Sequence, residues 1–318
     1  MFNESKEQAV KAGTMIDTID FGNLRWHHIV NPTEEDLEFL EDNFHFHPLD
    51  IEDCRSTNQR PKIDIYDEYN FLILQFPGFD KHDKILKPKE VKIFWGKDYI
   101  ISIARSFGAL KSYFELTEKT PDEDDFTKSS SDALLYTILN RLMVDSYSLL
   151  LRIGAEIELI NRDLFSKKAV QTIERISIAR RNIIQLNTIF KPQLRLFHKF
   201  ESGDIKGFTE NGDFMEDYWG NILDYYQKMW DMVEDNAELI EGLSQTFDSL
   251  QTNKTNEIMR IMTFISTLFL PLTFITGLYG MNVFLPLADH GWLFFGILGV
   301  MLVFVGGFIF FSKRRHWL

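Results

Sequence analysis

The residues best placed to do chemistry lie near the C-terminus. Taken at every third or fourth position, Asn256, Met259, Thr263, Ser266, Leu270, Thr273, Gly277 and Gly280 form one helical face that is mostly small or polar. The remainder of that stretch is bulky: Ile261, Phe264, Ile265, Leu268, Phe269, Leu272, Phe274, Ile275 and Leu278. The chemistry on offer is hydrogen bonding by neutral groups, since Ile261–Ala288 contains no charged side chain. Such a face suits either close helix contact or a narrow water path. Elsewhere the chain has no His-Glu-x-x-His, no Gly-x-Ser-x-Gly and no Gly-x4-Gly-Lys-Ser/Thr, so catalysis has little support.

The element that must present this face is a membrane span. Ile261–Ala288 and Gly291–Ser312 are uncharged runs of 28 and 22 residues, separated only by Asp289 and His290. A bilayer core of about 30 Å needs about 20 helical residues, so each run predicts one transmembrane helix. Trp292 and Trp317 fall where an interfacial belt would sit. Lys254 and Arg260 precede the first run, Lys313, Arg314 and Arg315 follow the second, and Val283–Gly291 carries no Lys or Arg. The positive-inside rule therefore predicts both termini in the cytoplasm and the short loop outside. Two helices per chain cannot enclose a pore, so conduction would require a homo-oligomeric ring with the small face inward.

Composition narrows the partners. The 318 residues carry 47 Asp plus Glu against 34 Lys plus Arg, a net charge of −13 that repels phosphate backbones and argues against nucleic acid. The one cysteine, Cys54, cannot form an internal disulfide, which suits a reducing compartment. Met1–Lys11 carries charges of both signs and no apolar core, so no signal peptide is expected there.

The residues before the spans read as a mixed α and β domain followed by long helices. Candidate strands are Leu24–Val30, Ile63–Tyr66, Phe71–Phe76, Val91–Phe94 and Tyr99–Ile103, the last two joined by a Gly96-Lys97-Asp98 turn. Thr33-Glu34-Glu35-Asp36 opens a short helix with a cap-like signature. The expected fold class is α+β: a mixed sheet with helices on its faces, then a long stalk helix and two C-terminal transmembrane helices. Expected boundaries are an α/β domain at 1–120, a helical hairpin at 121–210, a stalk helix at 211–257, and the first span at 258–282. An outer loop at 283–291, the second span at 292–312 and a basic tail at 313–318 complete the chain. Within the hairpin, Ser131-Asp132 caps a helix running to about Asp163, and a second helix, about 169–200, is interrupted near Pro192.

Met215, Trp219, Ile222, Tyr226, Met229, Val233, Ile240, Leu243, Phe247 and Leu250 follow a coiled-coil seam with Asn236 as its polar interruption. Packing within its own domain is one reading; continuity into the membrane favours assembly around an axis. Residues 201–250 hold 13 acidic and two basic residues, which reads as a solvated face. Several copies of it would concentrate divalent cations below a membrane opening.

The end of the first span reads Pro271-Leu-Thr-Phe-Ile-Thr-Gly-Leu-Tyr-Gly-Met-Asn282. In that setting Gly280-Met281-Asn282 closely resembles the signature of the CorA family of divalent-cation, chiefly magnesium, transporters. Asn253-Lys254-Thr255-Asn256-Glu257 resembles the family's entry into the span, and the basic tail ending in Trp317-Leu318 is also similar. So are His47-Pro48-Leu49, Ile51-Glu52-Asp53 and Gln59-Arg60-Pro61-Lys62 in the N-terminal part.

The resemblance implies a homopentameric channel in the cell (inner) membrane, taking up Mg2+, or Co2+ or Ni2+, with no organic cofactor. By similarity, Gly280, Met281 and Asn282 form the selectivity entrance, while Asn256, Met259, Leu270, Thr273 and Gly277 face the pore. It also implies a regulatory cytoplasmic Mg2+ between neighbouring chains, with Asp53 at the matching position. The family's partner aspartate on the stalk falls on Asn221 here, with Asp224 about one turn later as the substitute. The acidic stalk position nearer the membrane falls on Gln245. In the outer loop, Leu285-Pro286-Leu287-Ala288-Asp289 leaves cation attraction to Asp289 alone. The alternatives are a zinc transporter on the same fold, or a membrane-anchored scaffold or sensor without ion flux. His27, His28, His45 and His47 offer softer-metal ligands, although His45-x-His47 fits a structural role as well.

Overall fold

Side chains alternate across six strands of one sheet in the first of two units, which extends to Ser244; the second begins at Gln245. The computed structural model describes residues 16–80, 82–120, 125–164, 169–209, 213–281 and 291–314. The strands are β1 (Ile16–Asp20), β2 (Arg25–Val30), β3 (Lys62–Ile65), β4 (Tyr69–Asp80), β5 (Ile85–Gly96) and β6 (Tyr99–Ala104). Their order is β1-β2-β6-β5-β4-β3, antiparallel throughout except for β2 beside β6.

One face carries Ile29, Phe71, Ile73, Phe94, Ile101 and Ile103 against α1 (Glu34–Phe44) and α2 (Pro48–Arg55), with the Phe46 ring stacked 3.9 Å from that of Phe94. Because consecutive strand residues point to opposite faces, Trp95 looks the other way. That face is covered by α3 (Gly108–Lys119), α4 (Ser131–Asp163), α5 (Ala169–Glu201) and the start of α6 (Asp213–Tyr279). Trp26 meets Phe114 edge-on at 5.0 Å, and Trp95 lies 6.1 Å from Phe200 and 6.2 Å from Trp219. The helix α7 (Trp292–Arg314) belongs to the second unit.

Local sequence explains several ends. Thr33 forms a full capping box with Asp36 at the start of α1, as the Thr33–Asp36 signature predicts. The cap of α4 is Ser130, whose hydroxyl accepts the Ala133 N–H, rather than Ser131-Asp132. Asp132 instead turns inward, 2 % exposed, and accepts N–H groups from Trp95, Phe208 and Thr209. A side chain on Gly207 would collide with that carboxylate.

Three expectations are corrected. The strand β1 was not anticipated, because Asp17 and Asp20 interrupt its apolar pattern and only Ile19 is buried. The strands β4 and β5 run twelve residues each, past Pro77 and Pro88, which sit opposite one another in register. And α5 is not interrupted at Pro192. An internal proline costs a helix about 3 kcal/mol, and burial of Ile189, Phe190, Phe197 and Phe200 around it offsets that cost.

The next residue, Gln193, ties α5 to the sheet. Its carboxamide oxygen accepts the Gln75 N–H at 2.8 Å and its nitrogen donates to the Gln75 carbonyl at 2.8 Å, so the side chain mimics a neighbouring strand on β4. Asn182, about three helical turns earlier on the same side of α5, does the same for β5. It accepts from Leu86 N–H at 2.8 Å and donates to the Lys84 carbonyl at 3.2 Å.

The seam from Met215 to Leu243 is buried within its own chain, against residues such as Phe190, Phe197 and Phe200. It therefore packs within its own domain; Leu250 at its end is exposed. Asn236 faces Gly154 of α4 and donates to the Met232 carbonyl at 2.8 Å.

Replacing Gln193 by Leu keeps the volume and leaves both Gln75 backbone groups unpaired. Unmade buried hydrogen bonds cost about 1–3 kcal/mol each. Thermal unfolding of the purified full-length Gln193→Leu variant is expected to show a midpoint several degrees below that of the parent.

Candidate ion pathway

The described parts of the uncharged runs, 261–279 and 292–312, lie in apolar helices long enough to cross a membrane, within α6 and α7. From Gln245 onward, α6 has one partly covered face, formed by Phe264, Leu268, Pro271, Leu272 and Ile275. The covering face of α7 is Ile297, Met301, Val305, Phe308 and the buried Ser312, and the Phe264 and Phe308 rings lie 5.2 Å apart. Asn256, Met259, Thr263, Ser266, Leu270, Thr273, Gly277 and Gly280 are all exposed, Met259 at 61 % and Leu270 at 70 %. At 100° per residue, the centre of this small and polar face lies about 180° from the face that α7 covers. Among the described residues, α7 thus packs on the bulky side and leaves the other side open.

Two threonine hydroxyls on the open face are polarised in one sense. Thr263 donates to the Met259 carbonyl at 2.9 Å and Thr273 to the Phe269 carbonyl at 2.9 Å. Their hydrogens are spent inside the helix, so the oxygens can only accept from outside. Pro271 removes a further donor from the span, leaving the Thr267 carbonyl without its usual partner.

At the end of α6, Gly280 N–H bonds the Thr276 carbonyl at 2.9 Å and Met281 N–H approaches the Leu278 carbonyl at 3.4 Å. A side chain at 280 would come within 3.1 Å of the Thr276 carbonyl, so glycine suits this close approach. Met281 is 54 % exposed. Asn282 and Asp289 lie outside the described residues.

The two expected regulatory carboxylates do not meet within one chain. Asp53 belongs to α2, on one side of the sheet, whereas exposed Asp224 belongs to the part of α6 that covers the other side. Asp53 already has a cation: Lys62 Nζ lies 2.7 Å from its Oδ2 and also contacts Asp64. Burial works against the Lys62 charge, but the hydrogen bonds to Asp53 and Asp64 outweigh it and raise the ammonium pKa. Lys62 stands in the Gln59–Lys62 motif, which was its only signal in the sequence. Asn221 donates to the Tyr136 hydroxyl at 2.9 Å. Among the described residues no group of three or more His, Cys, Asp or Glu side chains could hold a metal ion.

The histidines have structural roles. His47 caps α2, its Nδ1 accepting the Leu49 N–H, and its backbone N–H donates to the Tyr69 hydroxyl at 2.8 Å. Tyr69 in turn donates to Asp50 at 2.8 Å. His45 ends α1 with a left-handed backbone, φ 54°. His27 lies 2.8 Å from Thr18 Oγ1, and His28 Nδ1 lies 2.9 Å from Ser102 Oγ. The buried Cys54 thiol is pushed up to about 12, mainly by desolvation, and is inert.

Fold and spans coincide with a known family. Residues 21–314 match the family described as CorA-like Mg2+ transporter protein, and the chain belongs to it. It is 28% identical over 277 residues to the cobalt/magnesium transport protein CorA of Thermotoga maritima, covering 86% of this chain and 78% of that protein. The solved structure of the CorA magnesium transporter of Methanocaldococcus jannaschii shares the fold with a TM-score of 0.79 at 21% identity, over 95% of this chain and 94% of that one. A shorter match, 26% identical over 144 residues, covers 45% of this chain and 43% of the zinc transport protein ZntB of Pectobacterium atrosepticum. The protein is a membrane transporter of divalent cations and not an enzyme.

Burial, followed by the nearby Arg25 charge, lowers His27 from 6.5 to about 4, and burial lowers His28 too. The unfolded chain protonates His27 near pH 6.5 and the folded chain only near pH 4, so stability is lost as pH falls through that window. Asp50, raised mainly by desolvation, acts in the opposite direction. The thermal midpoint of His27→Gln should therefore fall less than the parent's between pH 6.5 and pH 4.

Proposed function

We propose that five identical chains surround a central water path lined by Asn256, Met259, Thr263, Ser266, Leu270, Thr273 and Gly277, and that hydrated Mg2+ passes along it. The observation that carries this reading is the open, small and polar face of α6, opposite the face packed by α7. In this arrangement α7 is the outer helix, and the first unit is cytoplasmic together with both termini.

Magnesium binds its water tightly and prefers oxygen ligands in octahedral geometry. Its first-shell waters turn their hydrogens outward, so a pathway for the intact hydrate needs acceptors rather than carboxylates. Thr263 and Thr273 meet that need, since their own hydrogens are committed to Met259 and Phe269. A ring of Gly280, Met281 and Asn282 at the outer mouth would select the hydrate by size and by its hydrogen-bond pattern. Met259 and Leu270 form apolar constrictions that close by dewetting. The inside-negative potential drives entry with about 2.3 kcal/mol per charge per 100 mV, doubled for a divalent ion.

A regulatory divalent ion, on this reading, sits between copies, with Asp53 from one and Asp224 from its neighbour. To bind Asp53 it must displace the Lys62 ammonium. The partial match to a zinc transporter favours Zn2+ as the second substrate reading.

Uptake of Mg2+ into dye-loaded liposomes tests the assignment, with Co2+, Ni2+ and Zn2+ as competitors. Flux is expected for the parent and is expected to fall at least tenfold for Asn282→Leu, with chemical cross-linking still yielding pentamers. Undiminished flux in Asn282→Leu would remove the collar, absence of flux in the parent would leave a membrane-anchored scaffold, and preferential Zn2+ passage would select the second reading.

A further inference from the structure

A cavity of about 530 Å³ lies in the first unit between α4, α5 and the tip of the β4–β5 hairpin, apart from the ion pathway. Its walls are apolar, with Phe79 from β4, Leu149 and Ile153 from α4, and Ala179 from α5. Small-molecule sites are mostly apolar clefts of about 300–1,000 Å³ with a few polar groups that fix orientation. This one is held open from outside. The Asn182 carboxamide bonds Leu86 N–H and the Lys84 carbonyl, which fixes the hairpin tip against α5. The shape therefore exists before anything binds, and binding need not order it.

The charges at its rim are not balanced. Arg175 is held by Glu156 at 2.8 Å and by Asp163, so that part of the rim presents no free cation. Arg152 and Lys84 also line the cavity, and among the described residues neither has a carboxylate within ion-pair distance. The Arg152 guanidinium lies 5.3 Å from the centre of the Phe79 ring, which holds it beside the apolar wall. In a chain with a net charge of −13, an apolar cavity flanked by two cations without an ion-pair partner is an exception, and it offers a place for an anion from outside.

We propose that this cavity binds a small amphipathic anion: a carboxylate with an aromatic or short aliphatic body, its head taken by Arg152 and Lys84 and its body by Phe79, Leu149, Ile153 and Ala179. The occupant is a soluble metabolite-sized acid, because the site lies in the unit that carries the sheet and not in the membrane-spanning helices.

The probe is 2-naphthoate, titrated calorimetrically into the full chain in lipid nanodiscs with empty nanodiscs subtracted; its neutral counterpart is 2-naphthamide. Saturable binding of one naphthoate per chain is expected, with the amide at least tenfold weaker. A charge-assisted hydrogen bond is worth about 1.5–3 kcal/mol, so Arg152→Gln should weaken naphthoate about tenfold or more, and Lys84→Gln in the same direction. Ala179→Leu, which fills the cavity, should abolish binding. Because Ala179 is buried, the exposed Arg152→Gln and Lys84→Gln variants carry the test if that chain misfolds. Equal affinity for acid and amide, unchanged affinity in both charge variants, or no saturable binding at millimolar naphthoate would each overturn the proposal.

Discussion

An ion that keeps its water can cross a bilayer only where water can follow, and a single helical hairpin offers no such place. The bulky side of α6 is taken by α7 through contacts such as Phe264 with Phe308, while the side bearing Thr263, Ser266, Thr273 and Gly277 stays open. Had α7 packed on the small residues instead, close helix contact would account for them and no pathway would be needed. The threonine hydroxyls add a sign to the argument. Each donates inward to its own helix, so the surface they present accepts hydrogen bonds, as the outer hydrogens of a hydrated cation require.

The spans, the long helix entering the first of them and the capping box of α1 were legible in the sequence. Each rests on a local pattern: absence of charge, uninterrupted helical residues, or a Thr followed three positions later by Asp. What escaped depended on distant partners. Strand β1 is weak in isolation and exists because β2 lies beside it. The prolines at 77 and 88 look like strand breakers one at a time, and only the register shows that they share a position. Pro192 likewise reads as an interruption until the aromatic packing around it is known. The heptad seam on α6 was visible, but spacing cannot say whether the partner is the same chain or another; here it is the same chain.

The candidate site divides in the same way. The small face of the span follows from periodicity alone. The link between Asp53 and its surroundings does not, because Lys62 reaches the carboxylate from β3. That contact changes the chemistry of the position: the carboxylate is already paired with a tethered ammonium. Two carboxylates on opposite sides of one sheet can act together only across a subunit boundary, so any control exerted there is a property of the assembly.

The proline pair in the β4–β5 hairpin has a consequence of its own. Beyond Phe76 and Glu90 the hairpin extends past the strands that flank it, since β3 reaches only to Ile73 and β6 only to Val91. A two-stranded overhang of this kind is a template for illicit strand addition when many copies are crowded together. Pro77 and Pro88 each withdraw an amide from its margins, and the carboxamides of Gln193 and Asn182 occupy neighbouring groups. The overhang is thereby made unreceptive, and copies of the chain that meet side by side are spared fusion of their sheets.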